Sequence, residues 1–450
     1  MKKTFLTLIV WSILLPHCAI AGINNWQEVN PSQVPVYLNI YPGPAYPDAA
    51  YKQEGQNLVL NLSRFGENQI TQVRYRLNES GSWTSFNFEH YLNLGNITDV
   101  IGIHLLELQF VDVWGRSHYT NHYLVVVPDA QKSYEDNDGN LVMQWGQSGS
   151  SQYPSLLVEG FDPVNKNNAN LYYAVGKDVI EDVVSAGKTF YVLNFSDGGA
   201  DLNDNQVAVQ SAIKLLNDFS ENELIVSGMS MGGVLARHAL VSLENESYDH
   251  NTSKLISLDA PQDGAVMDMD FLDTIYDMDN NHPSLSSTAA KQLLQETPFD
   301  SENLHSQYYN YLRNLNNNNG YPENSINIGV AFASSELPDN LNEKWLTIEI
   351  DHTDDEHYYI ESDKDIYQAG SILPVSTTQQ AGWHIWDDYW IAFAVNWKTI
   401  RQDHPTFIPY NSALDISGNQ SRFDVVLSPS SGRYFLLLPI FRTTGLRLLF

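Results

Sequence analysis

Residues 223–240 constrain this chain more than any other stretch, because they spell a strand, a tight turn and a helix around one serine. Glu223-Leu224-Ile225-Val226-Ser227 is a short apolar run with polar ends, the pattern of a buried strand. Gly228-Met229-Ser230-Met231-Gly232 follows as a G-x-S-x-G motif, and Gly233 to Leu240 then places apolar residues at helical spacing. So sharp a turn strains the serine backbone and pushes its hydroxyl out at the end of the sheet, while the glycines prevent the backbone from clashing with itself. The N–H of Met231 falls at the helix start, where unpaired amides and the helix dipole favour a developing negative charge.

The same rhythm runs on both sides of the turn. Leu156–Val158 reads as a strand, Leu171–Ser185 as a helix stopped by Gly187, Phe190–Leu193 as a strand and Asn205–Leu216 as a helix. Leu255–Leu258 and Ile326–Val330 continue the strands. Repeated β-α-β units over residues 153–427 predict an α/β domain, a mostly parallel sheet with helices on both faces. Within it, the polar, Asn-rich stretch from about 268 to 319 reads as a lid-like insertion. Its aspartates Asp268, Asp270, Asp273, Asp277 and Asp279 lack the regular spacing of a calcium loop and read as a solvated face.

Residues 22–128 read differently. Leu58–Leu62, Val73–Leu77, Leu106–Phe110 and Tyr123–Val127 are short strand patterns separated by turn signals, with no helical segment between them. They predict a small β-sandwich, and the stretch from Arg74 to Arg116 resembles immunoglobulin-like modules fused to bacterial secreted enzymes, which implies an immunoglobulin-like sandwich. Residues 129–152 read as a linker, with acidic Glu135–Asn140 and the Gly/Ser run 146–151 interrupted only by Leu141-Val142-Met143.

The first 21 residues have the form of a secretory signal: Lys2 and Lys3, an apolar core from Phe5 to Leu15, and Ala19-Ile20-Ala21 as a cleavage site. That apolar run is too short to span a bilayer, so export to the periplasm or beyond, with no stable membrane anchor, is expected. Cys18, the one cysteine, lies inside the signal, so disulfides and thiol chemistry are excluded from the processed chain. Acidic residues number 54 against 24 basic ones. Such a balance repels nucleic acid and anionic membrane surfaces and favours neutral or cationic substrates.

Three places together resemble the α/β-hydrolase fold in its lipase and esterase branch. They are the G-x-S-M-G-G turn, the Val158-Glu159-Gly160-Phe161-Asp162-Pro163 loop after the first core strand, and Asp259-Ala260-Pro261-Gln262-Asp263-Gly264-Ala265 after a later one. The resemblance implies acyl transfer: Ser230 attacks an ester carbonyl, a histidine takes its proton, and an aspartate orients that imidazole. It also implies an oxyanion hole made by the N–H of Met231 and that of Gly160 or Phe161. Two departures stand out, since many relatives have His-Gly where this chain has Glu159-Gly160, and the histidine of the D-x-P-H motif is replaced by Gln262.

In that fold the acid and then the histidine follow the serine. His404 precedes Phe407–Asp415, a stretch similar to a late family motif near which both groups are found, so His404 is the candidate base. Asp415 and Asp403 are rival acids, with Asp259 behind them. His352 and His357 lie in a polar run, and His384, beside Trp383 and Trp386, reads as packed. No histidine follows Asp415, and Val425–Phe450 carries three arginines and no acid. Either a histidine-bearing C-terminus has been lost by frameshift or divergence, or these residues include a short apolar strand that closes the sheet.

Two functions fit. One is a secreted serine esterase or lipase-like hydrolase acting on a small-molecule or lipid ester; a thioesterase, peptidase or acyltransferase would use the same residues. The other is an inactive hydrolase fold kept as a binding protein, with the sandwich aiding attachment. No Rossmann fingerprint, phosphate loop or zinc spacing is present, so neither cofactor nor metal is implied.

Overall fold

The computed structural model describes residues 26–30, 33–40, 49–63, 65, 70–146, 153–163, 169–266, 283–331, 346–351, 357–361, 394–399, 408, 410–417 and 420–427. The secretory-type leader therefore lies outside the described residues.

Two sheets form the N-terminal sandwich. One joins β2 (Val36–Asn39), β4 (Leu58–Asn61) and β7 (Tyr91–Gly95) in the order β2-β4-β7. The other joins β3 (Ala49–Gln53), β5 (Ile70–Leu77), β6 (Ser80–Asn87), β8 (Gly102–Asp112) and β9 (Ser117–Val127) in the order β3-β9-β8-β5-β6. Strand alternation sends Leu38, Leu60 and Leu92 of the first sheet against Val73, Leu108 and Leu124 of the second. All six are buried, so the sandwich has a core of its own.

The larger sheet has nine strands. In spatial order they are β1 (Gln27–Val29), β10 (Lys132–Glu135), β11 (Leu141–Trp145), β13 (Thr189–Asn194), β12 (Pro154–Val158), β14 (Leu224–Met229), β15 (Thr252–Leu258), β16 (Ile326–Val330) and the edge strand Val425–Leu427. From β13 to the edge strand all pairings are parallel, whereas β1, β10 and β11 join in antiparallel fashion. Val425–Leu427 thus closes the sheet beside β16, the outcome expected of a short apolar strand. Residues 428–450 lie outside the described residues.

Alternate residues of these strands feed two cores, as a period of two requires. Leu156, Val158, Val226 and Leu255 pack against α2 (Leu202–Phe219) and α3 (Met231–Asn245). Leu157, Val192 and Met143 face the other way, toward α1 (Ala169–Ser185) and toward Tyr51, Val125 and Val127 of the sandwich. Helices therefore cover both faces, and the sandwich completes the cover on the α1 side.

The expected linker at 129–152 is corrected, because β10 and β11 are strands of the main sheet. Its acidic run is the hairpin turn between them, where Asp136 Oδ1 accepts the N–H groups of Asp138 and Asn140 and Gly139 takes φ +83°. A five-residue strand buried along its whole length presents a bare apolar run between turn residues, which composition alone reads as an interrupted linker. The sandwich boundary shifts as well, since β1 leaves that unit to pair with β10. In the region read as a lid, the helix Leu304–Arg313 buries Tyr308, Tyr309 and Leu312 in the main core. Residues 267–282 lie outside the described residues.

Candidate active site

β12 lies between β13 on one side and β14 on the other, so the chain winds away from it in both directions. In open parallel sheets a crevice opens at such a reversal, beyond the carboxyl ends of the strands. The loop Glu159–Pro163 leaves β12 there, and Ser230 stands at the end of β14 in register with it, Val158 being paired with Gly228.

The turn at Ser230 has the strain that its sequence implied. Ser230 takes φ 51°, ψ −124°, a conformation that costs an L-residue on the order of 1–3 kcal/mol. Its N–H donates to the Leu258 carbonyl at 3.0 Å, and its carbonyl accepts from Gly233 N–H at 3.0 Å, so backbone bonds on both sides hold the strained residue. Two glycines make the approach possible. A Cβ on Gly228 would stand 2.2 Å from the Gly232 carbonyl carbon, and one on Gly232 would stand 2.3 Å from the carbonyl oxygens of Val158 and Glu159. Ser230 is 9 % exposed, and its hydroxyl makes no hydrogen bond to any described residue.

Two amides beside it are also unspent. Neither Met231 N–H, at the start of α3, nor Phe161 N–H donates to any described residue. Gly160 N–H differs, for it donates to the buried hydroxyl of Tyr172 at 2.6 Å. Of the two alternatives expected for the second oxyanion donor, Phe161 is the one whose N–H stays available. Gly160 itself packs on the serine: a Cβ built there would meet Ser230 Cβ at 3.4 Å.

Glu159 does not take the place of the histidine that many relatives carry. Its side chain is fully buried beneath the loop, where Oε1 accepts from Asn194 Nδ2 at 3.0 Å and from the Phe195 N–H. Oε2 has no partner among the described residues. Burial, reinforced by the nearby Asp162 carboxylate, drives this carboxyl well above the usual glutamate range. Its hydrogen bonds tie the loop to the end of β13.

The candidate acids fall in different places. Asp259 follows β15 directly, next to the Leu258 carbonyl that binds Ser230 N–H, and its own N–H donates to Val330 O at 2.7 Å. It too has left-handed backbone, φ 44°. Asp415 is buried elsewhere, against Arg237 Nη1 at 3.4 Å, Tyr321 Oη at 2.9 Å, and Arg422 and Arg313 at 3.7 and 4.0 Å. Arg237 lies seven residues along α3 from Ser230, which is about 10 Å down the helix axis. Gln262, the residue standing where relatives have histidine, joins that same cluster, accepting from Arg237 Nη1 at 2.9 Å and donating to Ser257 Oγ at 2.9 Å. Asp403 and His404 lie outside the described residues, as do His352 and His384.

Other histidines do not fill the gap. His238 is buried two turns down α3, its Nδ1 3.1 Å from Tyr308 Oη, and burial together with Arg237 lowers its pKa to about 4. His305 packs on Tyr309 with ring centroids 4.6 Å apart and tilted by 41°, and its Nδ1 is 3.0 Å from the Gln292 carbonyl. No histidine whose side chain is described bonds to Ser230. Sequence reading missed Tyr172, because nothing local marks one tyrosine of an apolar helix as the partner of a loop amide.

Among the described residues no cluster of histidine, cysteine and carboxylate side chains could hold a metal ion, and no helix is long and apolar enough to cross a membrane.

Residues 184–315, which contain the turn and its helix, match the family model described as PGAP1-like alpha/beta domain. No curated protein matches the chain in sequence. Among solved structures, Est1E from Butyrivibrio proteoclasticus aligns at 14% identity over 27% of this chain and 47% of that one, with a TM-score of 0.22. The propeptide form of the Bacillus licheniformis lipase BlEst2 aligns at 14% identity over 44% of this chain and 40% of that one, TM-score 0.31. A hyperthermophilic esterase from the archaeon Pyrobaculum calidifontis aligns at 10% identity over 43% and 61%, TM-score 0.29. The chain spans less than half the length of the first two. The family match and the strand order identify an α/β-hydrolase core, preceded by β-rich sheets.

Proposed function

We propose that this protein is an exported serine hydrolase that cleaves acyl esters through an acyl-enzyme on Ser230. The observation that carries the reading is the strained Ser230, whose hydroxyl bonds to no described residue, beside two amides that no described group uses, those of Met231 and Phe161. A side chain held at such cost, next to donors that no described residue takes, is a preorganised site for attack and oxyanion binding.

The chemistry proceeds in two halves. Ser230 Oγ adds to the ester carbonyl carbon while a histidine imidazole takes the hydroxyl proton. The carbonyl oxygen, now an oxyanion, is held by the Met231 and Phe161 N–H groups. Collapse breaks the bond to the alcohol, which leaves with the proton from the imidazolium. Water then repeats the addition on the acyl-enzyme, and the acid product departs.

His404 is the proposed base, the resemblance at Phe407–Asp415 being its support. For the acid, the placement of Asp259 at the sheet end nearest the serine favours it over Asp415, whose carboxylate is occupied by arginines and a tyrosine. The substrate is a small-molecule or lipid ester, met outside the cytoplasm after removal of residues 1–21.

Hydrolysis of short- and medium-chain nitrophenyl esters by the processed protein tests this, with Ser230→Ala as control. Labelling by a fluorophosphonate probe should be stoichiometric and confined to Ser230. Absence of labelling would instead leave the inactive binding protein as the better account.

A further inference from the structure

We infer that Tyr172 is a positioning residue for the oxyanion loop and that the N-terminal β-sandwich sets its place through Asn170. The inference rests on the reading of Ser230 as nucleophile.

The loop after β12 has two successive amides that could face the reaction, and each N–H supports only one good hydrogen bond. Tyr172 Oη takes that of Gly160 at 2.6 Å inside the protein. This fixes the Glu159–Gly160 peptide plane, from which the chain turns to the next amide, and among the described residues the Phe161 N–H stays the available donor. A Cβ built on Gly160 would stand 3.6 Å from the phenol oxygen and 3.4 Å from Ser230 Cβ, so the phenol and the serine flank the same backbone atom. The phenol stays protonated, because burial, with the Glu159 carboxyl second, pushes it well above the ordinary tyrosine range.

Tyr172 needs an anchor of its own. It lies in the first turn of α1, which is interrupted at Gly176, where the backbone leaves helical geometry (φ −96°, ψ 15°). Distant turns of the helix therefore hold the first turn weakly. The sandwich holds it instead. Asn170 is fully buried; its Nδ2 donates to the Tyr51 carbonyl at 3.1 Å and to Gln56 Oε1 at 3.0 Å, and its Oδ1 accepts from Gln53 Nε2 at 2.7 Å. Gln53 is locked in turn, its Oε1 accepting from Ala130 N–H at 2.8 Å. Residues two apart on a helix point in different directions, so Asn170 can face the sandwich while Tyr172 faces Gly160. The sandwich is thus an arm of the active site as well as a neighbouring module.

Three full-length variants test this: Tyr172→Phe, Gln53→Leu and the pair together, each checked for folding by circular dichroism. Tyr172→Phe keeps the ring and removes only the oxygen. With nitrophenyl acetate it should lower kcat ten- to a hundredfold while KM changes by less than about threefold, the signature of a misplaced group that acts in the transition state. Gln53→Leu should lower kcat about tenfold in the same manner, and the double variant should lose little beyond Tyr172→Phe alone, since both act through one loop. Backbone hydrogen exchange at Gly160 should accelerate in each variant. Wild-type kcat and unchanged exchange in Tyr172→Phe would overturn the inference; fully additive losses would overturn the role of the sandwich. Should Gln53→Leu fail to fold, Tyr172→Phe still decides the first part. Faster Gly160 exchange in a protein whose Ser230 takes no fluorophosphonate would sustain the anchoring and overturn the proposed function instead.

Discussion

Arg237 Nη1 and Asp415 Oδ2 meet 3.4 Å apart inside the protein, although 178 residues separate them in the chain. The pair fastens the helix behind Ser230 to the segment that leads into the last strand of the sheet. Tyr321 donates to the same carboxylate oxygen at 2.9 Å and lies under the guanidinium, 3.9 Å from its ring centroid. Such an arrangement holds elements together.

Removing one member of a buried ion pair strands the other, at a cost of about 3–5 kcal/mol. Asp415→Asn, in chemical denaturation, should therefore lose stability on that order. Its Ser230 labelling rate should remain within about tenfold of wild type, measured where the variant is folded. Asp259→Asn should behave in the opposite way, with stability nearly kept and kcat reduced by roughly three to four powers of ten. An inverted outcome would make Asp415 the triad acid.

The strain at Ser230 has its own signature in thermal unfolding. Alanine keeps the Cβ that φ 51° disfavours, whereas glycine adopts the conformation readily. Ser230→Gly should match or exceed the stability of Ser230→Ala by up to about 1 kcal/mol, the folded-state relief outweighing the extra freedom of the unfolded glycine. A glycine variant clearly less stable than the alanine one would mean that the turn is relaxed.

Glu159 should make stability depend on pH. Its folded-state value is raised above the ordinary 4.5, so the folded protein keeps a proton that the unfolded chain releases. The stabilisation is complete below pH 4.5 and is lost as pH rises toward the folded-state value, by about 1.4 kcal/mol per unit. Glu159→Gln, which mimics the neutral acid, should be more stable than wild type, with a gap that widens from pH 5 to pH 8 in urea titrations. A constant gap would mean that the carboxyl ionises normally.

Gly232→Ala would place a methyl 2.3 Å from two carbonyl oxygens of the neighbouring strand end. Either the strand end or the helix start must move, and these position the proposed oxyanion donors Phe161 and Met231. Fluorophosphonate labelling should fall at least a hundredfold even where the variant still folds. Labelling near the wild-type rate would show that the close approach is dispensable.

Much of the architecture could be read directly. The strand-turn-helix at Ser230, the alternation from Leu156 onward and the strand Ile326–Val330 follow from periodicity, which depends only on neighbouring residues. β10 and β11 could not be read that way, since Lys132–Glu135 has little apolar character and becomes a strand by pairing with β1 and β11. The helix Leu304–Arg313 likewise looked polar enough for a lid, yet three of its ten residues bury into the main core. Aspartates near the site were easy to find and hard to rank. Asp259 and Asp415 both stand at left-handed turns, and their places in the fold separate them: Asp259 follows the strand beside Ser230, whereas Asp415 is bound by Tyr321 and Arg237.

By itself, the amino-acid order determined where one serine had to be bent out of ordinary backbone, because glycines and apolar spacing act within a few residues. Tertiary structure alone decided which polar groups around that serine are spoken for. Gly160 gives its N–H to Tyr172, Phe161 gives its own to no described residue, and Asp415 is claimed by Arg237. These choices depend on hydrogen bonds and burial between distant segments, and a donor or carboxylate has no fixed role until the fold brings its partner within about 3 Å.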